Sequence, residues 1–352
     1  MHVLAVTFDG SGNLTPFIGF TEALVAAGHR VTALAHRTQQ AAFIGAGADV
    51  CSYRHAAEHD STSSEHRITW EVFAAFNQRA VDDVRDAVEQ IVPDVLLIDC
   101  MMTDALSEAR SHGRPVIALV HSAWHILRSE LDGVFRAPAE GADVLVVASY
   151  RAFHEGAAPP HMVWVGPLRA TPPASTWRRR LRDRPFVVTS LSSGQQNQHE
   201  TLRNVCAALA ESPVDALVTV GRAFDPAEIV AAPNVRVERM IPHEHVLDEA
   251  DLLITHGGHG TAMIGLRFGV PLLCLPNVGD QPAIAERVVA LGLGRMLDKS
   301  STPETIGTAV ALLLADTATR TRAQAFAREV ADHPGPEAAI ATIEALYNRF
   351  TS

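Results

Sequence analysis

Short apolar runs recur along the chain, and most end in a polar or glycine-rich loop that opens a stretch of helical spacing. The first covers residues 3–8, too short for a helix and rich in β-formers. A loop, Gly10-Ser11-Gly12-Asn13, follows, and then a helical pattern that continues through Leu24 and stops at Gly28. Residues 30–35 read as a second strand. Residues 69–92 read as a long amphipathic helix, stopped by Pro93-Asp94 before strands at 95–98, 115–120 and 144–148. Unbroken apolar strands alternating with helices predict a parallel sheet covered on both faces. Residues 166–175 interrupt this rhythm with proline and small residues. It then restarts, with strands at 186–191, 216–220, 252–254 and 272–275 and a short edge-like strand at 235–239. A helix covers 199–210, and further helices start near Pro303, Thr317 and Pro336.

The expected fold is α/β: two doubly wound, Rossmann-like parallel-sheet units with a cleft between them. The boundaries are 1–168 for the first unit, 169–184 for a linker and 185–335 for the second, with a last helix, 336–352, packing back on the first. Ligands of such sheets sit outside the carboxyl ends of the strands, where the glycine loops fall. A length of 352 residues with 47% apolar content supports two cores, and the net charge of −11 argues against a nucleic-acid binder. The basic cluster Arg178-Arg179-Arg180-Leu181-Arg182 reads as a solvated linker or helix face. The four cysteines are scattered without C-x-x-C spacing, which fits a reducing cytoplasm and no zinc ribbon or disulfide framework. The N-terminus enters a strand at once, unlike a signal peptide, and no apolar run suits a membrane span.

The most specific chemistry lies at Thr255-His256-Gly257-Gly258-His259-Gly260-Thr261. A strand that ends in glycines and opens a helix binds phosphate, because the backbone can approach an anion and the first helical N–H groups point at it. His256, Thr261 and the N–H groups of Gly258, His259 and Gly260 are diphosphate contacts on this reading. The competing readings are structural histidines or, with His243 and His245, a metal site. The latter lacks the H-E-x-x-H spacing, so no metal is expected. One strand–helix unit later, Asp280-Gln281 either caps a helix or grips sugar hydroxyls. In the first half, Gly10 to Pro16 lacks the third glycine and the later acidic residue of a dinucleotide site. No cofactor is expected. Asp99 and His121 end apolar strands and either face a site or cap the next helix.

Together these stretches resemble the metal-independent, inverting family 1 glycosyltransferases of GT-B fold, most nearly the bacterial enzymes that decorate natural products. The strong block is THGGHGTAMIGLRFGVPLLCLPNVGDQP at 255–282, preceded by MIPHEHVL at 240–247. Weaker matches are GSGNLTP near the start, DVLLIDCMMTDALSEARSHGRPVIALVHS in the first half and VTSLSSGQQ opening the second. The resemblance implies a nucleotide-diphosphate sugar donor (dTDP-deoxysugar or UDP-sugar) held by the second unit and a small-molecule acceptor held by the first. His256, Gly258, His259, Gly260 and Thr261 would hold the diphosphate, with a hydroxyl from Ser193. Met240 and His243 would meet the base, and Asp280 and Gln281 the sugar. Gly12, Asn13, His121 and Trp124 would face the acceptor.

Two departures matter. Where the family has a histidine base in a G-H-x-x-P pattern, this chain has Gly12-Asn13-Leu14-Thr15-Pro16, and an amide does not accept a proton near neutrality. Asp99 as the base, His121 or Asp9 in its place, an acceptor that needs no base, and a non-catalytic nucleotide-sugar-binding auxiliary protein all stay open. A nucleotide-sugar epimerase is a further alternative. The stretch from Trp124 to Ala142 is also short for the family, so the acceptor pocket is either open or completed by a second copy or an auxiliary partner.

Overall fold

The computed structural model describes all residues except 11, 62–68, 132–140, 192–195 and 223. The chain divides into two compact units, Met1–Thr171 with His333–Ser352, and Pro172–Asp332. Of the stretch expected as a linker, residues 169–171 therefore go with the first unit and 172–184 with the second.

In the first unit the elements run β1 (His2–Val6), α1 (Leu14–Ala26), β2 (Arg30–Leu34), α2 (Arg37–Gly45), β3 (Asp49–Cys51), α3 (Trp70–Ile91) and β4 (Val95–Asp99). They continue with α4 (Thr103–Ala109), β5 (Val116–Val120), α5 (Trp124–Leu131), β6 (Val144–Val147) and β7 (Met162–Trp164). Among the described residues the sheet is all parallel, in the order β3-β2-β1-β4-β5-β6-β7. Alternate residues of each strand feed opposite faces, as the two-residue period requires. Leu4, Val6, Leu96 and Ile98 join Phe73, Ala80 and Val84 of α3 in one core. Val3, Ala5, Val95 and Leu97 join Phe17 and Phe20 of α1 in the other.

Helix ends follow local chemistry. The Thr69 hydroxyl accepts the Val72 N–H at the start of α3 (3.3 Å), and Val92 takes a left-handed turn (φ 49°) before Pro93 ends it. Gly28 closes α1 at φ 85°.

The second unit contains β8 (Phe186–Ser190), α6 (His199–Ala210), β9 (Asp215–Thr219), β10 (Val235–Glu238), β11 (Leu252–Thr255), α7 (His259–Arg267) and β12 (Leu272–Cys274). After these come α8 (Gln281–Ala290), β13 (Gly294–Met296), α9 (Pro303–Ala315) and α10 (Thr317–Glu329). Its described sheet is also parallel, ordered β10-β9-β8-β11-β12-β13. Helix α7 lies close on this sheet because Gly265 has no side chain. A Cβ there would sit 2.6 Å from Leu253 Cδ2 and 2.9 Å from Leu272 Cδ2.

The last helix, α11 (Gly335–Thr351), belongs to the first unit. Its Ala339, Ile340, Ile343 and Leu346 are buried in the core beneath α1. The Tyr347 hydroxyl donates to Asp94 Oδ1 (3.1 Å), whose other oxygen accepts the His2 N–H (2.7 Å).

The basic cluster is less solvated than its composition implies. Arg179 lies over the Phe186 ring (5.2 Å) and its Nε is 3.8 Å from Asp215, while Arg178 and Arg180 are exposed. Among the described residues, no helix is long and apolar enough to cross a membrane.

Candidate active site

Each sheet changes winding direction at one place, and there the loops leaving two neighbouring strands diverge and open a crevice. In the first unit this place lies between β1 and β4, which pair as Val6↔Ile98. In the second it lies between β8 and β11, which pair as Ser190↔Thr255. The residues singled out by the sequence fall mostly at these two places.

At the first, Asp99 ends β4 and is fully buried. Its Oδ2 accepts from Asn13 Nδ2 (2.8 Å) and from the Thr7 hydroxyl (3.4 Å), and its Oδ1 accepts from the Met101 N–H (3.0 Å). Asn13 precedes α1 and is 2% exposed, but its side chain makes no cap to that helix. Its Nδ2 reaches the Thr7 hydroxyl (3.0 Å) and the Phe8 carbonyl (2.8 Å) besides Asp99, and its Oδ1 accepts the Gly10 N–H (3.1 Å). The amide thus ties the glycine loop to the carboxylate. Below it, the buried Tyr53 hydroxyl donates to the Thr7 carbonyl (2.8 Å), and burial pushes its phenol pKa well above 10.0.

His121 follows β5, the strand beside β4, and its Nε2 lies 3.3 Å from Asp99 Oδ1. Burial works against a charged ring here. The Asp99 carboxylate and the neighbouring Cys100 more than offset it and hold the imidazole pKa well above 6.5. Burial in turn raises the Cys100 thiol. Asp99, Cys100 and His121 bring ligand-type atoms within 4.8 Å of one another. Asp99 is already surrounded by N–H and O–H donors from Thr7, Asn13 and Met101, with His121 beside it at ion-pair distance, so the trio reads as a satisfied carboxylate with a neighbouring imidazole rather than an ion cage.

Gly12 is exposed with open space around it, whereas Trp124 at the start of α5 is 3% exposed and packs in the core. Asp9 is engaged by the Thr38 hydroxyl (2.8 Å) and the Ser61 N–H (3.3 Å).

At the second place the backbone takes the leading part. Gly257 follows β11 at φ 78°, and Gly258 stands at the N-cap of α7 with φ −59°, ψ 132°. The first bond of the turn runs from Ala262 N–H to the Gly258 carbonyl, so the N–H groups of His259, Gly260 and Thr261 precede the helical ladder. Glycine is required at two of these positions. A Cβ on Gly258 would overlap the His256 ring, and one on Gly257 would sit 3.0 Å from the Gln281 carbonyl. Around Gly260 the space is open, as an approaching ligand needs.

His256 is buried, which pulls its pKa down to about 4, the Ser190 backbone opposing this weakly. It is therefore a neutral ring near neutral pH. His259, also buried, is the first residue of α7, and Thr261 is half-buried.

Asp280 stands at the N-cap of α8, but its side chain makes no capping bond. Gln281 is 4% exposed and its amide is engaged. Oε1 accepts from the N–H groups of Asn277 (2.9 Å) and Val278 (3.2 Å), and Nε2 donates to Gln196 Oε1 (2.9 Å). Met240 is 53% exposed, and His243 opens a single 3-10 turn. Ser193 lies outside the described residues.

Sequence reasoning missed Thr7, Tyr53, Gln196 and Asn277. Of these, Gln196 and Asn277 had a signal, their places in the VTSLSSGQQ and PNVGDQP stretches.

Two doubly wound parallel units, one carrying a glycine-lined helix N-terminus at its switch point, define the GT-B class. The Erythromycin biosynthesis protein CIII-like C-terminal domain family matches residues 204–346. NDP-glycosyltransferase YjiC of Bacillus subtilis (strain 168) is 31% identical over 169 residues, 47% of this chain and 43% of its own length. The solved glycotransferase of kitacinnamycin is 28% identical and superposes with a TM-score of 0.79 over 98% of both chains. Spinosyn rhamnosyltransferase SpnG, solved with thymidine diphosphate, covers 98% of this chain and 100% of its own at 24% identity and a TM-score of 0.76. The chain spans 40% to 44% of the length of several curated relatives that it matches. Residues 204–346 are thus similar to that family, and the chain as a whole is similar in fold to solved glycosyltransferases.

Proposed function

We propose that the protein is an inverting glycosyltransferase that moves a sugar from a nucleoside-diphosphate sugar to a small natural-product acceptor. The observation that carries this is the N-terminus of α7, with Gly258 to Thr261 at the carboxyl end of β11 beside the winding reversal. As the anomeric bond breaks, negative charge grows on the departing diphosphate. Oriented N–H groups and the positive end of the helix offset it without reorganising. A neutral His256 suits this place, because it can donate an N–H without first competing for a proton. The acceptor attacks the anomeric carbon from the opposite face, and the configuration inverts.

On this reading Asp280, which does not cap its helix, meets the sugar hydroxyls. Gln281 chiefly holds the Asn277–Val278 turn, and it reaches the sugar once Gln196 is displaced. On the same reading, Met240 and His243 would meet the base. Thymidine diphosphate in SpnG supports a thymidine nucleotide here, with a uridine nucleotide as the alternative. The acceptor belongs to the first unit, at the loop from Phe8 to Asn13. A second copy or an auxiliary chain completing the acceptor side is part of the same reading. The cysteines Cys51, Cys100, Cys206 and Cys274 are all free, which suits the reducing cytoplasm.

Calorimetric titration with thymidine diphosphate and uridine diphosphate tests the donor half. We expect binding that His256→Ala and Thr261→Val each weaken by about tenfold or more, roughly one charge-assisted hydrogen bond. Affinities indifferent to both changes would remove the diphosphate from α7. The anomeric configuration of a product made from an α-linked nucleotide glucose tests inversion. The engagement of Asn13 favours one competing reading, an auxiliary protein that binds the nucleotide sugar without turnover. Donor binding with no transfer to any acceptor would select it.

A further inference from the structure

Resting on the transferase reading, we infer that His121 takes the proton from the acceptor, and that Asp99 and Asn13 stand behind it as positioning residues. Three groups compete for this role, and access separates them. Asp99 has no exposed surface, and both its oxygens accept hydrogen bonds, from Asn13 and Thr7 on one side and Met101 on the other. An acceptor hydroxyl cannot reach it. Asn13 is 2% exposed, and both ends of its amide are engaged within its own loop and with Asp99. The His121 side chain keeps 12% of its surface exposed.

The geometry around His121 is that of an oriented base. Its Nε2 is enclosed and lies 3.3 Å from Asp99 Oδ1, an ion-pair distance, which leaves Nδ1 as the ring nitrogen on the other side from the carboxylate. One nitrogen held by a buried carboxylate fixes the ring and stabilises the imidazolium that forms, while the other works on the substrate. The family position for a histidine, residue 13, is here given to an amide that holds the carboxylate still. The histidine comes instead from the neighbouring strand β5.

In the step itself, the acceptor X–H loses its proton to His121 Nδ1 as X forms a bond to the anomeric carbon. The bond from that carbon to the diphosphate oxygen breaks, and its electron pair leaves with the nucleotide. The proton ends on the imidazole, opposite Asp99. Asp99 and Cys100, both from the end of β4, are the titratable groups that act on His121. The base form is populated only as pH rises through the raised imidazole pKa. The rate should therefore climb through a limb above pH 6.5.

The test uses TDP-glucose with phenol and with the more acidic 4-nitrophenol as acceptors, and wild type beside His121→Ala, His121→Gln and Asp99→Asn. Both His121 variants should lose roughly 10²- to 10⁴-fold of kcat/KM on phenol. The loss on 4-nitrophenol should be far smaller, because that acceptor needs little help with its proton. Thymidine diphosphate affinity should stay unchanged in both, and the alkaline limb should vanish. Asp99→Asn should move the limb to lower pH, a shift that general loosening of the fold would not give. A His121→Ala rate on phenol within about threefold of wild type, or a limb that survives in it, would overturn the assignment. Wild-type protein that binds neither thymidine diphosphate nor TDP-glucose would instead remove the transferase reading on which it rests.

Discussion

On the proposed reading, the two winding reversals would bind with opposite materials. In the first unit the parts are side chains: Thr7, Asn13, Asp99 and His121, joined by hydrogen bonds of 2.8 to 3.4 Å and an ion pair. In the second they are mostly backbone: a glycine turn, the leading N–H groups of α7 and a histidine kept neutral by burial. On that reading, the difference would follow from the tasks. Moving a proton requires a group whose affinity for it is set by a neighbouring charge. Holding a departing diphosphate requires donors that stay charged or neutral whatever the pH, and peptide N–H groups cannot titrate.

The sharpest way to break the contrast is to put a second carboxylate into the first unit. Asn13→Asp would replace a donor 2.8 Å from Asp99 by a like charge in a buried place. We expect a loss of about 3–5 kcal/mol near neutral pH, by urea unfolding. Stability should return as pH falls and the pair takes up a shared proton. A variant as stable as wild type at neutral pH would mean that the two groups do not meet.

Next in size, Gly258→Val would drive a side chain into the His256 ring. A cost of about 1–3 kcal/mol in stability is expected from overpacking. Thymidine diphosphate affinity should fall with it, as read by calorimetry.

The third effect is a slope with pH. His256 stays neutral in the folded chain down to about pH 4, whereas unfolded it protonates near 6.5. The unfolded state therefore binds more protons in that window, and stability falls as pH drops from 6.5 towards 4. The slope from this one group approaches about 1.4 kcal/mol per pH unit. His256→Gln should flatten it in a series of melts. His36, which burial shifts in the same direction, leaves a residual slope.

The smallest effect is expected at Gly260. Its surroundings have room for a methyl group, and alanine is the better helix former by about 0.8–1.0 kcal/mol in a helix interior. Gly260→Ala should thus leave melting unchanged or slightly raised while weakening nucleotide binding. Equal nucleotide affinity in this variant would put the phosphate away from that turn.

The sequence made the central strands legible because they are buried on both faces and so read as unbroken apolar runs. β4 and β11 are such cases. It did not reveal β3, β7 and β13. Each has three residues, DVC, MVW and GRM, and each lies at a sheet edge, where half of the burial that writes a pattern is missing. The glycine turn of the second unit was legible because glycine is a direct statement about backbone shape.

The first site was not legible in the same way. Asn13 and Asp99 lie 86 residues apart, and the role of the amide appears only once the fold brings them to 2.8 Å. Nor does spacing distinguish a reachable histidine from an enclosed carboxylate. That depends on which strand end faces solvent, and the order of strands decides it.

The chain's path has a practical consequence. It leaves the first unit near Thr171 and comes back at His333, so the second unit is an insertion held at both ends. Exchanging second units between relatives by trading C-terminal halves would carry α11 away from the apolar bed it was shaped for. A graft cut at both crossings, leaving Gly335–Thr351 native, should fold where a simple tail swap aggregates.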